Sequence, residues 1–285
     1  MKNLLSSTGI ATLLAAVAAA GPARAEMATV AATPATRPAA VAAPVAAAKA
    51  AVKAVANKFE KDIAAFEAAD RKAPPAPGGV LFYGSSSVRL WKTLTDDYAG
   101  YPVLNRGFGG SMAADAVLYV ERVVVPARPS TIVFYEGDND LNAGRKPEQI
   151  LADYQTFAKL VHAKLPDTKI LYVSIKPSPK RLDQLPLQRK MNEMTAAWIA
   201  KLKDQRLAFA DVFTPMLDAN GRPRGELFGP DMLHMNRDGY KLWTSVIGLK
   251  PAVVVVKTAA NAAAAAVLPP SKPSSAKAEP SRPTN

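Results

Sequence analysis

The sequence predicts an α/β domain whose parallel sheet is covered by helices on both faces. Short runs of consecutive apolar residues alternate with longer stretches in which apolar residues recur every three or four positions. The short runs lack the polar alternation of a half-exposed strand, so we expect both of their faces to be buried. Polar and glycine-rich segments follow the first three runs, and open α/β sheets carry out their chemistry at the carboxyl ends of their strands.

The predicted elements follow one another between residues 58 and 250. An amphipathic helix with Phe59, Ile63 and Phe66 on its apolar face leads into the domain, and a proline-rich stretch ends it. The five predicted strands cover 79–83, 102–105, 131–135, 169–175 and 207–212. The later predicted helices cover 116–124, 147–165 and 187–202, with a last helix around Tyr240 and Trp243.

The two ends of the chain differ from this domain in composition. Residues 1–25 combine Lys2, an apolar core over 10–20 and an Ala23-Arg24-Ala25 cleavage site, which is typical of a signal peptide. The apolar core is too short to span a bilayer as a stable helix, so we expect a periplasmic or secreted protein without stable membrane insertion. Residues 26–57, rich in alanine and proline, and the low-complexity residues 251–285 are predicted to be disordered.

Charge and composition exclude several classes of function. The formal net charge is +12, but residues 58–250 hold 27 basic and 22 acidic residues and carry only +5. This modest excess does not favour a nucleic-acid partner. The chain has no cysteine and lacks phosphate-loop and dinucleotide motifs, so we expect neither a cofactor nor a metal. Asp138 and Asp140 could suggest a cation site, but we expect them to be solvated loop acids.

A candidate nucleophile follows the first predicted strand in the segment Gly84-Ser85-Ser86-Ser87. A strand that ends here and continues into a helix holds a hydroxyl at the carboxyl edge of the sheet. The same turn aims backbone N–H groups at the group that the hydroxyl attacks. Ser86 or Ser87 could instead cap the helix, which is a common role for serine.

A serine nucleophile needs a general base, and the chain contains two histidines. His162 lies within a predicted helix and is expected to be structural. His234 lies in a predicted loop three residues after Asp231, so one short segment can present an imidazole and a carboxylate that orients it.

Donors for an oxyanion are available from three further positions. The backbone N–H groups of Ser86 and Gly110 and the side-chain amide of Asn139 could supply them. Each position also has a structural explanation, because glycines form tight turns and a loop asparagine can satisfy nearby backbone groups.

Four segments, taken in order, resemble those of the SGNH hydrolases, the superfamily of the GDSL esterases and lipases. They are Gly-x-Ser, Asn-Arg-Gly-Phe-Gly-Gly, Gly-Asp-Asn-Asp and Asp-x-x-His. The resemblance covers about 79–249. It implies a flavodoxin-like three-layer α/β/α sandwich with five parallel strands in the order 2-1-3-4-5. It also implies that Ser86 is the nucleophile and that His234 is the base, oriented by Asp231. Gly110 and Asn139 would complete the oxyanion hole with the N–H of Ser86.

The resemblance implies an exported serine esterase that cleaves short-chain acyl or O-acetyl esters of saccharides or lipids through an acyl-enzyme. One departure stands in the first segment, where the family usually has Gly-Asp-Ser-Leu and this chain has Ser85 in place of the acid. Counting from Gly84 favours Ser86 as nucleophile and leaves Ser87 as a helix cap. Two alternatives remain open: an acyltransferase that uses the same residues, and a non-catalytic envelope or glycan-binding protein on the same fold.

Overall fold

The computed structural model describes residues 58–249, and its centre is a five-stranded sheet. The strands are β1 (Val80–Gly84), β2 (Val103–Gly107), β3 (Thr131–Tyr135), β4 (Lys169–Val173) and β5 (Leu207–Ala210). Their order is β2-β1-β3-β4-β5, and each neighbouring pair is parallel. This topology confirms the predicted fold class and strand order. All the strands therefore present their carboxyl ends at one edge of the sheet.

Helices cover both faces of this sheet. Their bounds are α1 (58–72), α2 (Ser86–Arg89), α3 (Leu94–Asp97), α4 (Ala113–Leu118), α5 (Val125–Ala127), α6 (Asp138–Asn142), α7 (Pro147–Lys164), α8 (Leu185–Leu202) and α9 (Arg237–Ile247). A π-helical segment covers Val120–Val124, and 3₁₀ segments cover Pro179–Gln184, Thr214–Met216 and Gly225–Leu227. None of the helices within 58–249 combines the length and apolarity that crossing a bilayer requires.

The first face of the sheet packs against α1, α4, α7 and α8. Tyr83 and Phe134 point to this side, and the Phe134 ring stacks on Phe157 of α7 at 4.2 Å between centroids. Phe59 of α1 packs edge-on against Phe108, which makes this first helix part of the core.

The second face packs against α2, α3 and α9. Phe82 and Tyr135 alternate with the residues of the first face, as parallel strands buried on both sides require. Trp91 and Trp243 fill this layer, and Tyr240 of α9 donates a hydrogen bond to the backbone oxygen of Ser87 at 3.0 Å. This bond ties α9 to the turn that follows β1.

Two strands end earlier than the sequence predicts. β4 stops at Val173 and β5 at Ala210, whereas the predicted strands continue to Ile175 and Val212. The hydroxyl of Ser174 accepts the N–H groups of Val212 and Phe213, each at 2.9 Å, and so takes the place of the next ladder bonds. The predicted helix over 116–124 is also interrupted, because the π-helical segment follows α4. The predicted signal peptide, linker and tail lie outside the described residues.

Candidate active site

Ser86, His234 and Asp231 form one hydrogen-bonded chain at the carboxyl edge of the sheet. The Oγ of Ser86 lies 3.0 Å from Nε2 of His234, and Nδ1 of the same ring lies 2.6 Å from Oδ2 of Asp231. Ser86 and His234 are separated by 148 positions in sequence, and the fold brings them together. In such an arrangement the imidazole can take a proton from the hydroxyl while the carboxylate holds the ring in the required tautomer.

The side chain of Asp231 fixes the loop in which this residue lies. Oδ1 of Asp231 accepts the backbone N–H groups of Leu233 at 3.0 Å and His234 at 2.9 Å. The backbone hydrogen bond from His234, followed by the contact with its ring, lowers the pKa of Asp231 to about 2. Asp231 is therefore a carboxylate at neutral pH, with both of its oxygens committed to the loop and the imidazole.

The serine is presented by a turn that only glycine permits. Gly84 has a φ of +150°, and a Cβ there would lie 1.9 Å from the backbone oxygen of Tyr135. The N–H of Ser85 donates to that same oxygen at 3.2 Å, and the Gly84 carbonyl accepts the N–H of Phe108 at 2.9 Å. Ser86 is the first residue of α2, so its N–H has no acceptor within the helix.

The structure distinguishes Ser86 from Ser87 as the candidate nucleophile. Ser86 is half-buried and within hydrogen-bond distance of His234, whereas the side chain of Ser87 is only 2% exposed. The prediction that Ser87 caps the helix was wrong, because the cap position is Ser85 and its side chain makes no capping hydrogen bond. The start of α2 therefore lacks a side-chain cap.

The turn after β2 places the N–H of Gly110 at the same edge. Gly110 has a φ of +82°, a backbone conformation that favours glycine. Among the described residues, the N–H groups of Ser86 and Gly110 donate to no other protein group. Both remain available for a developing oxyanion.

The side-chain amide of Asn139 lies beside this turn, in the first residues of α6. Its Nδ2 donates to the backbone oxygen of Ser111 at 2.9 Å, and its Oδ1 accepts from Nη2 of Arg181 at 3.1 Å. One of the two N–H bonds of the amide thus holds the Gly110 turn through Ser111, and the second is left for a ligand.

A buried carboxyl supports this turn, and sequence reasoning missed it. Glu136 is fully buried, and its Oε1 lies 2.6 Å from the hydroxyl of Ser111, which is also 2.9 Å from the backbone oxygen of Phe108. Burial raises the pKa of Glu136 well above its usual value. The hydroxyl of Ser111 thus links the Glu136 carboxyl to the backbone of the Gly110 turn. The only sequence signal is that Glu136 directly follows β3.

The prediction that Asp138 and Asp140 are solvated loop acids was wrong. Both are buried within α6 and are held by cations from other segments. Asp140 pairs with Arg145 at 2.5 Å, and Asp138 pairs with Lys176 and Arg181. The partners of Asp138 follow β4, so the residues next to Asp138 in sequence do not indicate them.

The second histidine, His162, lies outside this site. His162 lies half-buried on α7, and its Nε2 contacts the backbone oxygen of Thr168 at 3.0 Å. Within residues 58–249 no group of three or more histidine, aspartate or glutamate side chains is arranged to hold a metal ion.

The sheet topology together with the position of these side chains defines the SGNH hydrolase fold. The sequence profile of the GDSL-like lipase/acylhydrolase family matches residues 76–242, which is more than half of the chain. The protein therefore belongs to the GDSL-like lipase/acylhydrolase family. Among curated protein sequences, none matches the chain.

Solved structures share the fold at low sequence identity. One is described as a platelet activating factor from Streptococcus pneumonia, with a TM-score of 0.58 and 18% identity over 71% of this chain and 97% of that one. Another is described as an acylhydrolase from Bacteroides fragilis, with a TM-score of 0.55 and 18% identity over 62% of this chain and 90% of that one. A GDSL-like lipase from Bacteroides thetaiotaomicron has a TM-score of 0.51 and 20% identity over 59% of this chain and 84% of that one.

Proposed function

We propose that this protein is a serine esterase that acts through an acyl-enzyme. The observation that carries the proposal is the contact chain from the Ser86 hydroxyl through His234 to Asp231, at 3.0 and 2.6 Å. Membership of the GDSL-like family supports hydrolysis of ester bonds as the class of reaction.

In the proposed first half-reaction, Oγ of Ser86 attacks the ester carbonyl carbon while its proton passes to Nε2 of His234. The carbonyl oxygen becomes an oxyanion that accepts from the N–H groups of Ser86 and Gly110 and from the amide of Asn139. The tetrahedral intermediate then expels the alcohol, which takes the proton back from His234, and the acyl group remains on Ser86.

Water completes the cycle in the second half-reaction. His234 accepts a proton from the attacking water, a second oxyanion forms in the same position, and the acid leaves as Ser86 recovers its proton. With an alcohol in place of water, the same steps would transfer the acyl group. We propose water as the acceptor, and product analysis with added alcohols or glycans distinguishes the two.

The test uses a short aryl ester and a fluorophosphonate probe. We expect turnover and covalent labelling of the wild type, and loss of both in Ser86→Ala and His234→Ala. Ser87→Ala and His162→Ala are the matched controls and keep turnover, because the Ser87 side chain faces Tyr135 and His162 contacts Thr168. Undiminished turnover in Ser86→Ala would refute the assignment. A folded wild type that neither turns over nor labels would favour a non-catalytic binding protein.

For the substrate we propose a small-molecule, saccharide or lipid ester with a short acyl group, in an exported protein. The proposal of export depends on the signal peptide predicted over 1–25. An ester panel with graded acyl lengths and with sugar or lipid alcohols tests the substrate. Mass spectrometry of the periplasmic fraction tests export, since a mature chain that starts at Glu26 is expected. A chain recovered uncleaved in the cytoplasm would contradict it.

A further inference from the structure

A buried ionic cluster lies directly behind Asn139. The carboxylate of Asp138 contacts Nζ of Lys176 at 2.8 Å and Nη1 of Arg181 at 2.6 Å. The side chains of Lys176 and Arg181 are 1% and 10% exposed, so water does little to screen them. Burial opposes ionisation of Asp138, but the two cations outweigh it and lower its pKa. These three residues together carry one more positive than negative charge.

Arg181 connects this cluster to the amide of Asn139. One guanidinium nitrogen pairs with Asp138 while Nη2 donates to Oδ1 of Asn139 at 3.1 Å. A planar guanidinium can serve two acceptors at once, which a single ammonium does less well. Arg181 itself lies in the 3₁₀ segment after β4, where its φ of −122° and ψ of 39° break the helical path.

The contacts at the two ends of the amide allow one orientation only. Arginine has donors and no acceptor, so it must face the oxygen of Asn139. The backbone oxygen of Ser111 is an acceptor, so it must face the nitrogen. A flipped amide would set Nδ2 against the guanidinium and Oδ1 against a carbonyl, and both hydrogen bonds would be lost. The nitrogen is therefore directed toward the Gly110 turn.

We propose that Arg181 is a positioning residue that locks the amide of Asn139 with its N–H toward the oxyanion. This inference depends on the proposed function, in which Asn139 donates to that oxyanion. Arg181 acts through Asn139 and through the surplus positive charge behind it, not through contact with the substrate. Its effect is therefore expected on the transition state more than on substrate binding.

A purely structural role would have different consequences. If Arg181 only neutralises Asp138, replacing it lowers thermal stability and leaves kcat of the folded enzyme unchanged. If it positions Asn139, kcat falls with little change in KM. Replacing Arg181 then causes no further loss of kcat in a variant that already lacks the Asn139 amide, because Arg181 acts only through that amide.

The experiment measures kcat and KM on a short aryl ester for the full chain. We expect Asn139→Ala to lose about 10²–10³ in kcat, the usual cost of one oxyanion donor. Arg181→Met should lose about 10-fold or more by the same reasoning, and the double variant should be no slower than Asn139→Ala within about 3-fold. Arg206→Met is the matched control, since Arg206 also joins a carboxylate to a second oxygen acceptor, those of Asp204 and Pro166, but lies outside the proposed site. It should keep wild-type kcat.

A second variant covers the case in which Arg181→Met fails to fold. Arg181→Lys keeps a positive charge for Asp138, so we expect a melting temperature near that of the wild type with a reduced kcat. Wild-type kcat in a folded Arg181→Met or Arg181→Lys, or losses that multiply in the double variant, would overturn the inference. Failure of the proposed function looks different, because the wild type itself would be inactive or would keep its activity in Ser86→Ala.

Discussion

The contacts of Asp231 predict that asparagine at this position is more damaging than alanine. Oδ1 of Asp231 accepts two backbone N–H groups, and Oδ2 accepts from the imidazole of His234. In Asp231→Asn the single oxygen is retained by the backbone donors, so the NH₂ group must face Nδ1. A donor at this position stabilises the tautomer with its proton on Nε2, which can no longer accept the proton of Ser86.

The expected loss of kcat in each variant depends on the tautomer of His234 and on the solvent exposure of position 231. An imidazole held in the wrong tautomer costs about 10⁴ in kcat in the serine protease case. The side chain of Asp231 is 52% exposed, so in Asp231→Ala water can reach Nδ1 and accept its proton. The ring then keeps the productive tautomer, and we expect a loss of about 10² in kcat, the lower end for general base catalysis.

The assay is kcat for a short aryl ester in both variants, with thermal melting as a check of folding. Asp218→Asn serves as the control, since Asp218 also accepts backbone N–H groups in a loop, those of Asn220 and Arg222, but contacts no histidine. Equal losses in the two Asp231 variants, or a slower alanine variant, would refute the tautomer argument.

Three further predictions concern the scaffold. Gly84→Ala places a methyl group against the backbone oxygen of Tyr135, and we expect it to lower the free energy of unfolding by more than about 4 kcal/mol in chemical denaturation, or to prevent folding. Glu136 has a raised pKa, so its own contribution to the free energy of unfolding is greatest below the unfolded pKa of about 4.3 and falls by at most about 1.4 kcal/mol per pH unit as pH rises toward the folded pKa. Glu136→Gln should lack this dependence in urea unfolding near about pH 5 and about pH 8, and equal slopes would contradict a neutral buried acid. Phe59→Ala should lower the free energy of unfolding by about 3 kcal/mol, because it empties a buried position. Arg122→Met should lower it by less than about 1 kcal/mol, because the ion pairs of Arg122 are solvent-exposed. The reverse order in urea titrations would contradict the burial argument.

The elements that sequence predicts best are those whose environment is uniform along the segment. The run over 131–135 became β3 with the predicted bounds, because a strand buried on both faces shows as continuous apolar sequence. The ends of β4 and β5 could not be predicted, since they depend on the hydroxyl of Ser174 reaching a neighbouring segment.

The same distinction applies to the site. The spacing of Asp231 and His234 is local, and parallel topology brings that loop to the edge where Ser86 lies. The burial of Asp138 depends instead on cations that follow β4, about forty residues later in the chain. Periodicity indicates which residues face the core, but not which charged side chains will meet there.

Ser85 stands where the family resemblance predicts an acid, and its contacts bear on the proposed function. The backbone of Ser85 already makes the contacts that fix the nucleophile turn. Its N–H donates to Tyr135, and its oxygen accepts the N–H groups of Val88 and Arg89 at 3.0 and 3.1 Å. None of these bonds requires a carboxylate at this position. The hydroxyl of Ser86 lies within hydrogen-bond distance of His234 with serine at position 85, which supports the proposed esterase over the non-catalytic alternative.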